Sequence, residues 1–304
     1  MKTTMQSRVR AYLAQRRALG FRLRSEGYLL LSFARYADRH ASGGRLTTPL
    51  AIAWARLPKN ASRQRWARRW EALRRLAKFL RVTDPNIPMP PRHLFGPAQQ
   101  PYRPFIYSAQ HIRQLLKAAG RLRGQLRPWT YQTLIGLLAC TGLRISEALG
   151  LKITEVDLQK GLLLIREGKF QHTRWVPLHR TALAPLQAYS RRRQRHFPLA
   201  ERFFTSERGS ALAYSAVHTV FCQLRRTLAH PGRPPRIHDL RHAHACRVLQ
   251  RWQASRRGAT GRVLILSRYL GHRHLRDTYW YLHALPELLA MAGKRFEPAP
   301  HEKP

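Results

Sequence analysis

Six side chains in this chain have types and spacings that suit chemistry on a phosphate group. His238 and Arg241 lie three residues apart, so both would project from one side of a helix start. His272 follows a Leu-Gly pair, and Tyr281 comes nine residues later. Basic side chains could surround one phosphate while the phenol of Tyr281 acts as the nucleophile. This segment therefore predicts attack on a phosphodiester.

Two upstream residues complete the set. Arg144 stands in Thr-Gly-Leu-Arg-Ile-Ser-Glu, where Glu147 could orient its guanidinium or pair with any cation. Lys169 lies in a predicted hairpin turn, in a chain with only 9 lysines beside 47 arginines. An ammonium can deliver a proton and a guanidinium cannot, so Lys169 suits a general acid. A turn lysine that only contacts phosphate is the alternative. Together the six residues indicate cleavage of a nucleic-acid backbone without a metal.

Other interpretations of the aromatic and acidic residues stay open at this point. The aromatic run 279–281 would ordinarily belong to a hydrophobic core, and Tyr279 competes with Tyr281 as the nucleophile. Asp239 stands near the start of a predicted helix, where its charge suits the helix dipole, so we expect a structural role for it.

A zinc site is a further alternative, because His242, His244 and Cys246 lie close together in sequence. Their spacing matches neither a zinc finger nor a His-Glu-x-x-His helix, and there is no partner pair of cysteines. We therefore expect no metal and no cofactor, with both histidines packed or near the phosphate.

The charge of the chain predicts a polyanionic partner. Its 304 residues carry a net charge of +41 without a compensating acidic block. Such an excess is typical of nucleic-acid binding. An anionic membrane is the weaker candidate, because the charge is spread along the whole chain. The 44% hydrophobic content allows real cores, which argues against a disordered tail.

The compartment is predicted to be the cytoplasm, at the nucleoid. Cys140, Cys222 and Cys246 are an odd and widely spaced set, which favours reduced thiols over disulfides. The N-terminus lacks the apolar stretch of a signal peptide, and no apolar run approaches the roughly 18 residues of a membrane span.

Composition shifts predict two domains. Residues 1–83 show helical periodicity, residues 84–104 contain seven prolines and are expected to form an extended linker, and residues 105–296 form the second domain. Residues 297–304 are expected to be a disordered tail. The fold class is mainly α with a small antiparallel sheet (α+β).

In the first domain, a long helix from Arg63 to about Leu80 is predicted to follow a cap at Ser62. An earlier helix over Leu50 to Leu57 would start at a Thr48-Pro49 cap. One face of the long helix is basic, and we expect it to face phosphate rather than only solvent. Its members are Arg65, Arg68, Arg69, Arg74, Arg75 and Lys78.

In the second domain, two strands are predicted at 162–167 and 174–178. Gly142 is expected to end a helix that starts at Pro128, and Ser108 to start a helix through Ala119. Further helices are expected at 181–195, 214–229, 239–253, 262–270 and 286–293.

With these motifs in place, the second domain resembles the catalytic domain of the tyrosine recombinase (phage integrase) family over roughly residues 105 to 293. That family has Thr-Gly-x-Arg-x-x-Glu, a hairpin lysine, His-x-x-Arg, Leu-Gly-His and Tyr-x-His in this order. The resemblance implies that Arg144, Lys169, His238, Arg241, His272 and Tyr281 are catalytic, and the family spacing selects Tyr281 over Tyr279. The first domain is similar to the family's core-binding domain, and its amino-acid sequence resembles that of transposon-type integrases.

The resemblance also implies the activity and the partners. By this resemblance, we expect a site-specific recombinase that cuts and rejoins duplex DNA through a 3′-phosphotyrosyl link. Its role would be the integration, excision or transposition of a mobile element. The active state would be a homo-tetramer on DNA, with sister recombinases as further partners and no membrane. The helix at 286–293 would dock into a neighbouring protomer or pack on its own domain.

One departure and three rivals remain. The 31 positions from Arg241 to His272 exceed the family's spacing, and the excess falls in the basic loop 253–262. A type IB topoisomerase shares the pocket chemistry but only relaxes DNA, and a non-catalytic DNA-binding accessory would not need Tyr281. An RNA-binding protein is supported by charge alone.

Overall fold

The computed structural model describes residues 4–21, 23–40, 45–58, 60–98, 104–166, 173–230, 232–254 and 262–284. The chain divides into two compact units, Met1–Tyr102 and Arg103–Pro304.

In its described part, the first unit consists of helices up to Leu80, followed by a stretch without helix or strand at 84–98. Amphipathic periodicity buries one stripe of each helix in a shared core built around Phe33, Trp54 and Trp70. Thr47, one residue earlier than expected, caps the third helix by accepting a hydrogen bond from the backbone N–H of Leu50. The helices described are α1 (Met5–Ala18), α2 (Arg24–His40), α3 (Thr48–Arg56) and α4 (Arg63–Leu80).

The predicted basic face of α4 needs one correction. Arg69 is buried, its guanidinium lies 3.6 Å from the centroid of the Trp54 ring, and it donates to the Trp54 carbonyl at 2.6 Å. Its position on the helix places it beside the apolar stripe, so it supports the core and does not face phosphate. Arg65, Arg68 and Lys78 are exposed, and their contact with phosphate stays a prediction.

Residues 84–98 correct the predicted extended linker. They contain no helix or strand, as the prolines dictate, but they pack against the first unit. Ile87 and Phe95 are buried in its core, and the Trp70 indole N–H donates to the Pro91 carbonyl at 2.8 Å. Apolar side chains between the prolines therefore keep this stretch on the helical core.

The second unit combines helices with one small sheet. Ser108 starts its first helix, as the sequence indicated, and forms a capping box with His111. The helices described are α5 (Ala109–Gly120), α6 (Arg127–Thr141), α7 (Ile145–Gly150), α8 (Arg180–His196), α9 (Tyr214–Leu224), α10 (Asp239–Ala254), α11 (Arg262–Leu270) and α12 (Arg276–Ala284). Short 3-10 turns cover Ile153–Glu155 and Arg225–Thr227.

The sheet is antiparallel with the order β1 (Val156–Asp157), β2 (Leu162–Ile165) and β3 (Arg174–Pro177). Leu163 pairs with Val176, and both side chains are buried. The fold class predicted from the sequence, mainly α with a small antiparallel sheet, is confirmed.

Two helix assignments differ from the prediction. The helix at 214–229 ends at Leu224 and continues only as a 3-10 turn. α12 was not predicted, although it carries Tyr281. The predicted helix at 286–293 and the tail at 297–304 lie outside the described residues.

Cys140, Cys222 and Cys246 are free thiols. Within the described ranges, no helix has the length and apolar character needed to cross a membrane.

Candidate active site

The candidate site is built on two turns, one after α6 and one after α11. Gly142 ends α6 with a left-handed φ of 65°, and a Cβ there would lie 2.8 Å from Cδ2 of His244. Gly271 follows α11 with φ 67°, and a Cβ there would lie 2.7 Å from Nη1 of Arg174. Glycine is required at both turns for conformation and for space. Each turn offers backbone carbonyls to the arginines of the site.

Arg241 joins the two turns. It projects from the first turn of α10 and is only 2% exposed. Its Nη1 donates to the Gly142 carbonyl at 2.8 Å and its Nη2 to the Leu270 carbonyl at 2.7 Å. Burial, together with the nearby charge of Arg144, lowers the pKa of Arg241 to about 10, so the guanidinium stays charged at neutral pH.

Arg144 approaches the same place from the N-terminus of α7. Its Nη2 donates to the Gly271 carbonyl at 2.9 Å, and its Nη1 donates to Oε1 of Glu147 at 2.9 Å. The expected contact with Glu147 is therefore present. Burial alone would raise the pKa of Glu147, but hydrogen bonds and charge from Arg174 and Arg144 hold it below its ordinary value.

Tyr281 lies beside Arg241 and is 3% exposed, whereas its competitor Tyr279 is 44% exposed. α12 packs on α10 and α11, where the Tyr281 ring joins a small apolar cluster that includes Leu249 and Leu270. Burial raises the pKa of Tyr281, while the charge of Arg241 and a hydrogen bond with it act in the opposite direction. Tyr281 is therefore both a core residue and a polar neighbour of Arg241.

His272 stacks near the same phenol, with its ring centroid 5.9 Å from that of Tyr281. Its Nδ1 is hydrogen-bonded to the hydroxyl of the buried Thr278 at 2.7 Å. Burial, and then the charges of Arg241 and Arg144, lower the pKa of His272 to about 3. The imidazole is therefore neutral at physiological pH.

His238 lies at the exposed start of α10, one ring further from Tyr281. The ring of His242 stands between them, 4.8 Å from the His238 ring and 5.4 Å from the Tyr281 ring, centroid to centroid. Burial, and then the charges of His238 and Arg241, lower the pKa of His242 to about 3. The structure thus connects His238 to the phenol through a second imidazole, which is not among the six predicted residues.

The remaining neighbours have structural contacts. Asp239 is fully buried, and its Oδ2 accepts a hydrogen bond from the backbone N–H of Arg236 at 2.8 Å, in line with the expected structural role. His244 stacks on Tyr269 with centroids 6.0 Å apart. Among the residues that the structure describes, no three His, Cys, Asp or Glu side chains form a group that could hold a metal ion.

Of the six predicted residues, the structure brings together Arg144, Arg241, His272 and Tyr281, and it places His238 at the edge of that group. Lys169 and most of the predicted loop 253–262 lie outside the described residues. Arg174, which binds Glu147 through both of its Nη atoms, was missed. No local motif marks it in a chain with 47 arginines.

Comparison with known sequences gives a consistent result. Residues 106–287 match the model of the phage integrase family. The Sinorhizobium fredii protein y4rB, described as a candidate integrase/recombinase, is 38% identical over 97% of this chain and 98% of its own length. The tyrosine recombinase XerD of Brucella abortus is 30% identical over 73% of this chain and 72% of its own length.

Solved structures share the fold. An integrase of the transposon Tn1549, in complex with circular intermediate DNA, matches with a TM-score of 0.69 and 16% identity over 95% of this chain and 99% of that one. The XerH recombinase bound to a palindromic difH substrate matches with a TM-score of 0.65 and 20% identity over 91% of this chain and 79% of that one. The arginines of two sequence motifs, Arg144 and Arg241, meet at the buried Tyr281, and the sequence comparisons agree with this site. The chain therefore belongs to the phage integrase family of tyrosine recombinases.

Proposed function

We propose that this protein is a site-specific recombinase that cuts and rejoins duplex DNA, with Tyr281 as the nucleophile. The observation that carries the proposal is the hydrogen-bonded pair of Tyr281 and Arg241 at the meeting point of the two glycine turns. A phenol ordinarily loses its proton near pH 10, so a neighbouring guanidinium that favours phenolate has chemical use there.

In the proposed reaction, the Tyr281 oxygen forms a bond to the scissile phosphorus while the bond to the 5′-oxygen breaks. The products are a 3′-phosphotyrosyl link and a free 5′-hydroxyl. Because the covalent link retains the phosphodiester, a 5′-hydroxyl from a partner strand can reverse the step without ATP.

Arg144 and Arg241 are proposed to bind the non-bridging oxygens, where charge builds in the transition state. A guanidinium carries five N–H donors, so the bonds of Arg241 to two carbonyls and to Tyr281 leave capacity for a phosphate oxygen. The carbonyl contacts fix both guanidinium planes before substrate binds. The two arginines supply the charge that metal ions supply in other phosphoryl transfers.

The histidines and Lys169 are proposed to handle protons. Since Thr278 holds Nδ1 of His272, we assign its Nε2 to the phosphate. An arriving phosphate adds negative charge that favours a protonated imidazole, and His238 is assigned the phenol proton. Lys169 is assigned the protonation of the departing 5′-oxygen.

The proposed context is the integration, excision or transposition of a mobile element at the nucleoid, by a homo-tetramer on DNA. The Tn1549 protein is a transposon integrase, and one lambda integrase neighbour was solved as a tetramer bound to a Holliday junction. Recombination by the purified protein alone would show that no sister recombinase is required.

Covalent recovery from cells tests the proposal and identifies the target duplex in the same experiment. The tagged full-length protein is purified under denaturing conditions, and the DNA that remains attached is sequenced. We expect one recurrent duplex sequence with wild type and with Tyr279→Phe, and none with Tyr281→Phe. Strand transfer between two copies of that duplex then separates a recombinase from an enzyme that only relaxes DNA. Absence of attached DNA in the wild type would refute the proposal.

A further inference from the structure

Arg174, the first residue of β3, makes three side-chain hydrogen bonds within the candidate site, and no sequence motif predicted them. Its Nη1 and Nη2 donate to Oε1 and Oε2 of Glu147 at 3.2 and 2.9 Å. Its Nε donates to the Tyr269 carbonyl at 2.8 Å, and its side chain is only 11% exposed. A bidentate bond to a carboxylate plus a third bond to the backbone fixes the guanidinium in one orientation.

Glu147 is shared between two arginines. Besides Arg174, its carboxylate accepts from Nη1 of Arg144 at 2.9 Å and from the backbone N–H of Arg144 at 3.0 Å. The carboxylate side chain is only 3% exposed, so its charge acts at close range and with little screening. With Arg144 as its only partner, Glu147 would neutralise that guanidinium. The second arginine leaves the group of three with one net positive charge that can face a phosphate.

The Arg174 side chain also limits where the Arg144 guanidinium can lie. Arg174 contacts the α11 end through Tyr269, and its Nη1 fills the space beside Gly271. Arg144 donates to the carbonyl of that same glycine. Glu147, Arg174, the 269–271 turn and Arg144 therefore form a closed ring of contacts, and removing Arg174 opens it on two sides.

We propose that Arg174 is a positioning residue that acts through Glu147, holding the Arg144 guanidinium in place and leaving its charge to the scissile phosphate. Arg174 itself does not contact the substrate. The inference rests on the proposed function, because it concerns the reaction at Tyr281. A rival route exists, since β3 begins five residues after Lys169, so Arg174 could act by anchoring the segment that carries that lysine.

Two modified substrates separate these routes. A methylphosphonate at the scissile position lacks the charge on one non-bridging oxygen, so cleavage depends less on the charge of Arg144. A 5′-bridging phosphorothiolate has a leaving group that departs without a proton, so cleavage depends less on Lys169. Both are built into a nicked suicide duplex of the sequence recovered covalently from cells, and the rate of covalent adduct formation is measured at saturating protein.

We expect Arg174→Ala to slow adduct formation on the ordinary duplex by about 10- to 100-fold. A displacement of a catalytic group by about 1 Å reduces the rate by up to about that factor. The deficit should shrink at least tenfold on the methylphosphonate, as for Arg144→Ala, and stay unchanged on the phosphorothiolate. Lys169→Ala is the positive control for the phosphorothiolate. Arg225→Ala, which removes an arginine bonded to the Pro235 carbonyl, is the charge-matched control and should match wild type.

Several outcomes would overturn the inference. These are a normal rate for Arg174→Ala, a deficit that persists on the methylphosphonate, or rescue on the phosphorothiolate instead. Should Arg174→Ala fail to fold, Arg174→Lys keeps the charge without the bidentate bond and should show the same substrate pattern with a smaller deficit. If wild type forms no adduct on any of these duplexes, the proposed function fails, which is a different result from failure of Arg174 alone.

Discussion

Arginine serves different purposes in the two units of this protein. In the second unit Arg241 and Arg144 are largely enclosed and donate to carbonyls at turns, so their planes are fixed without a substrate. On α4 of the first unit, Arg65 and Arg68 are exposed, while Arg69 is buried against Trp54. Fixed arginines suit the stabilisation of one developing charge, and exposed ones suit attraction to a long polyanion. Burial and bonding, and not residue type, assign the task.

The largest effect is expected from the fixed class. Arg241→Ala should slow covalent adduct formation by about 10²- to 10³-fold, as loss of one donor to a developing oxyanion does. The affinity for duplex DNA should change about twofold at most, because other phosphate contacts remain. Single-turnover adduct rates and binding titrations measure the two quantities. Equal damage to binding and cleavage would contradict the division between the two classes.

Arg69→Ala tests the buried arginine of α4 as a structural residue. Loss of its cation–π contact and of its bond to the Trp54 carbonyl should lower the free energy of unfolding of the first unit by about 1–3 kcal/mol. Thermal unfolding of the full chain measures this, with the exposed Arg65→Ala as the control. Unchanged unfolding with weaker DNA binding would return Arg69 to the phosphate-facing set.

Acid should destabilise the second unit. His242 and His272 have pKa values near 3 in the folded protein and near 6.5 when unfolded, so the unfolded chain binds more protons between these limits. The stability that depends on their neutral forms is complete above about pH 6.5 and is lost as pH falls towards 3. Within this range each imidazole lowers the free energy of unfolding by up to about 1.4 kcal/mol for each pH unit of acidification. Urea unfolding from pH 7 to 4.5 measures the slope. His272→Asn should make it shallower, and an unchanged slope would contradict the neutral imidazole.

The smallest effect is expected from an exposed arginine. Arg68→Ala should reduce the dependence of DNA affinity on salt by about one unit of the logarithmic slope, with an unchanged adduct rate at saturating protein. Binding titrations over a range of salt concentrations provide the measurement. An unaltered slope would show that this face of α4 lies away from DNA.

Much of this arrangement was readable from local sequence. The bounds of α4, Arg63–Leu80, follow from apolar periodicity after Ser62, and Gly142 and Gly271 mark turns that need a left-handed residue. Arg144 and Arg241 could be recognised because each stands in a short motif.

Other features depend on partners that are distant in sequence. Glu147 binds Arg174 across 27 residues, and nothing beside Arg174 announces that pair. Arg69 lies in the same arginine-rich stretch as its exposed neighbours, and only its packing against Trp54 shows that it is buried. No proline and no capping Ser, Thr, Asp or Asn stands directly before α12, and the prolines of 84–98 obscured the buried Ile87 and Phe95.

The central claim is that the buried Tyr281, and not the exposed Tyr279, forms the link to DNA. The most direct measurement is mass spectrometry of the nucleotide-bearing peptide from an adduct trapped on a nicked suicide duplex. We predict modification at Tyr281, its complete loss in Tyr281→Phe with salt-sensitive DNA binding retained, and a normal yield in Tyr279→Phe. Modification at Tyr279, or trapping that survives Tyr281→Phe, would contradict the account.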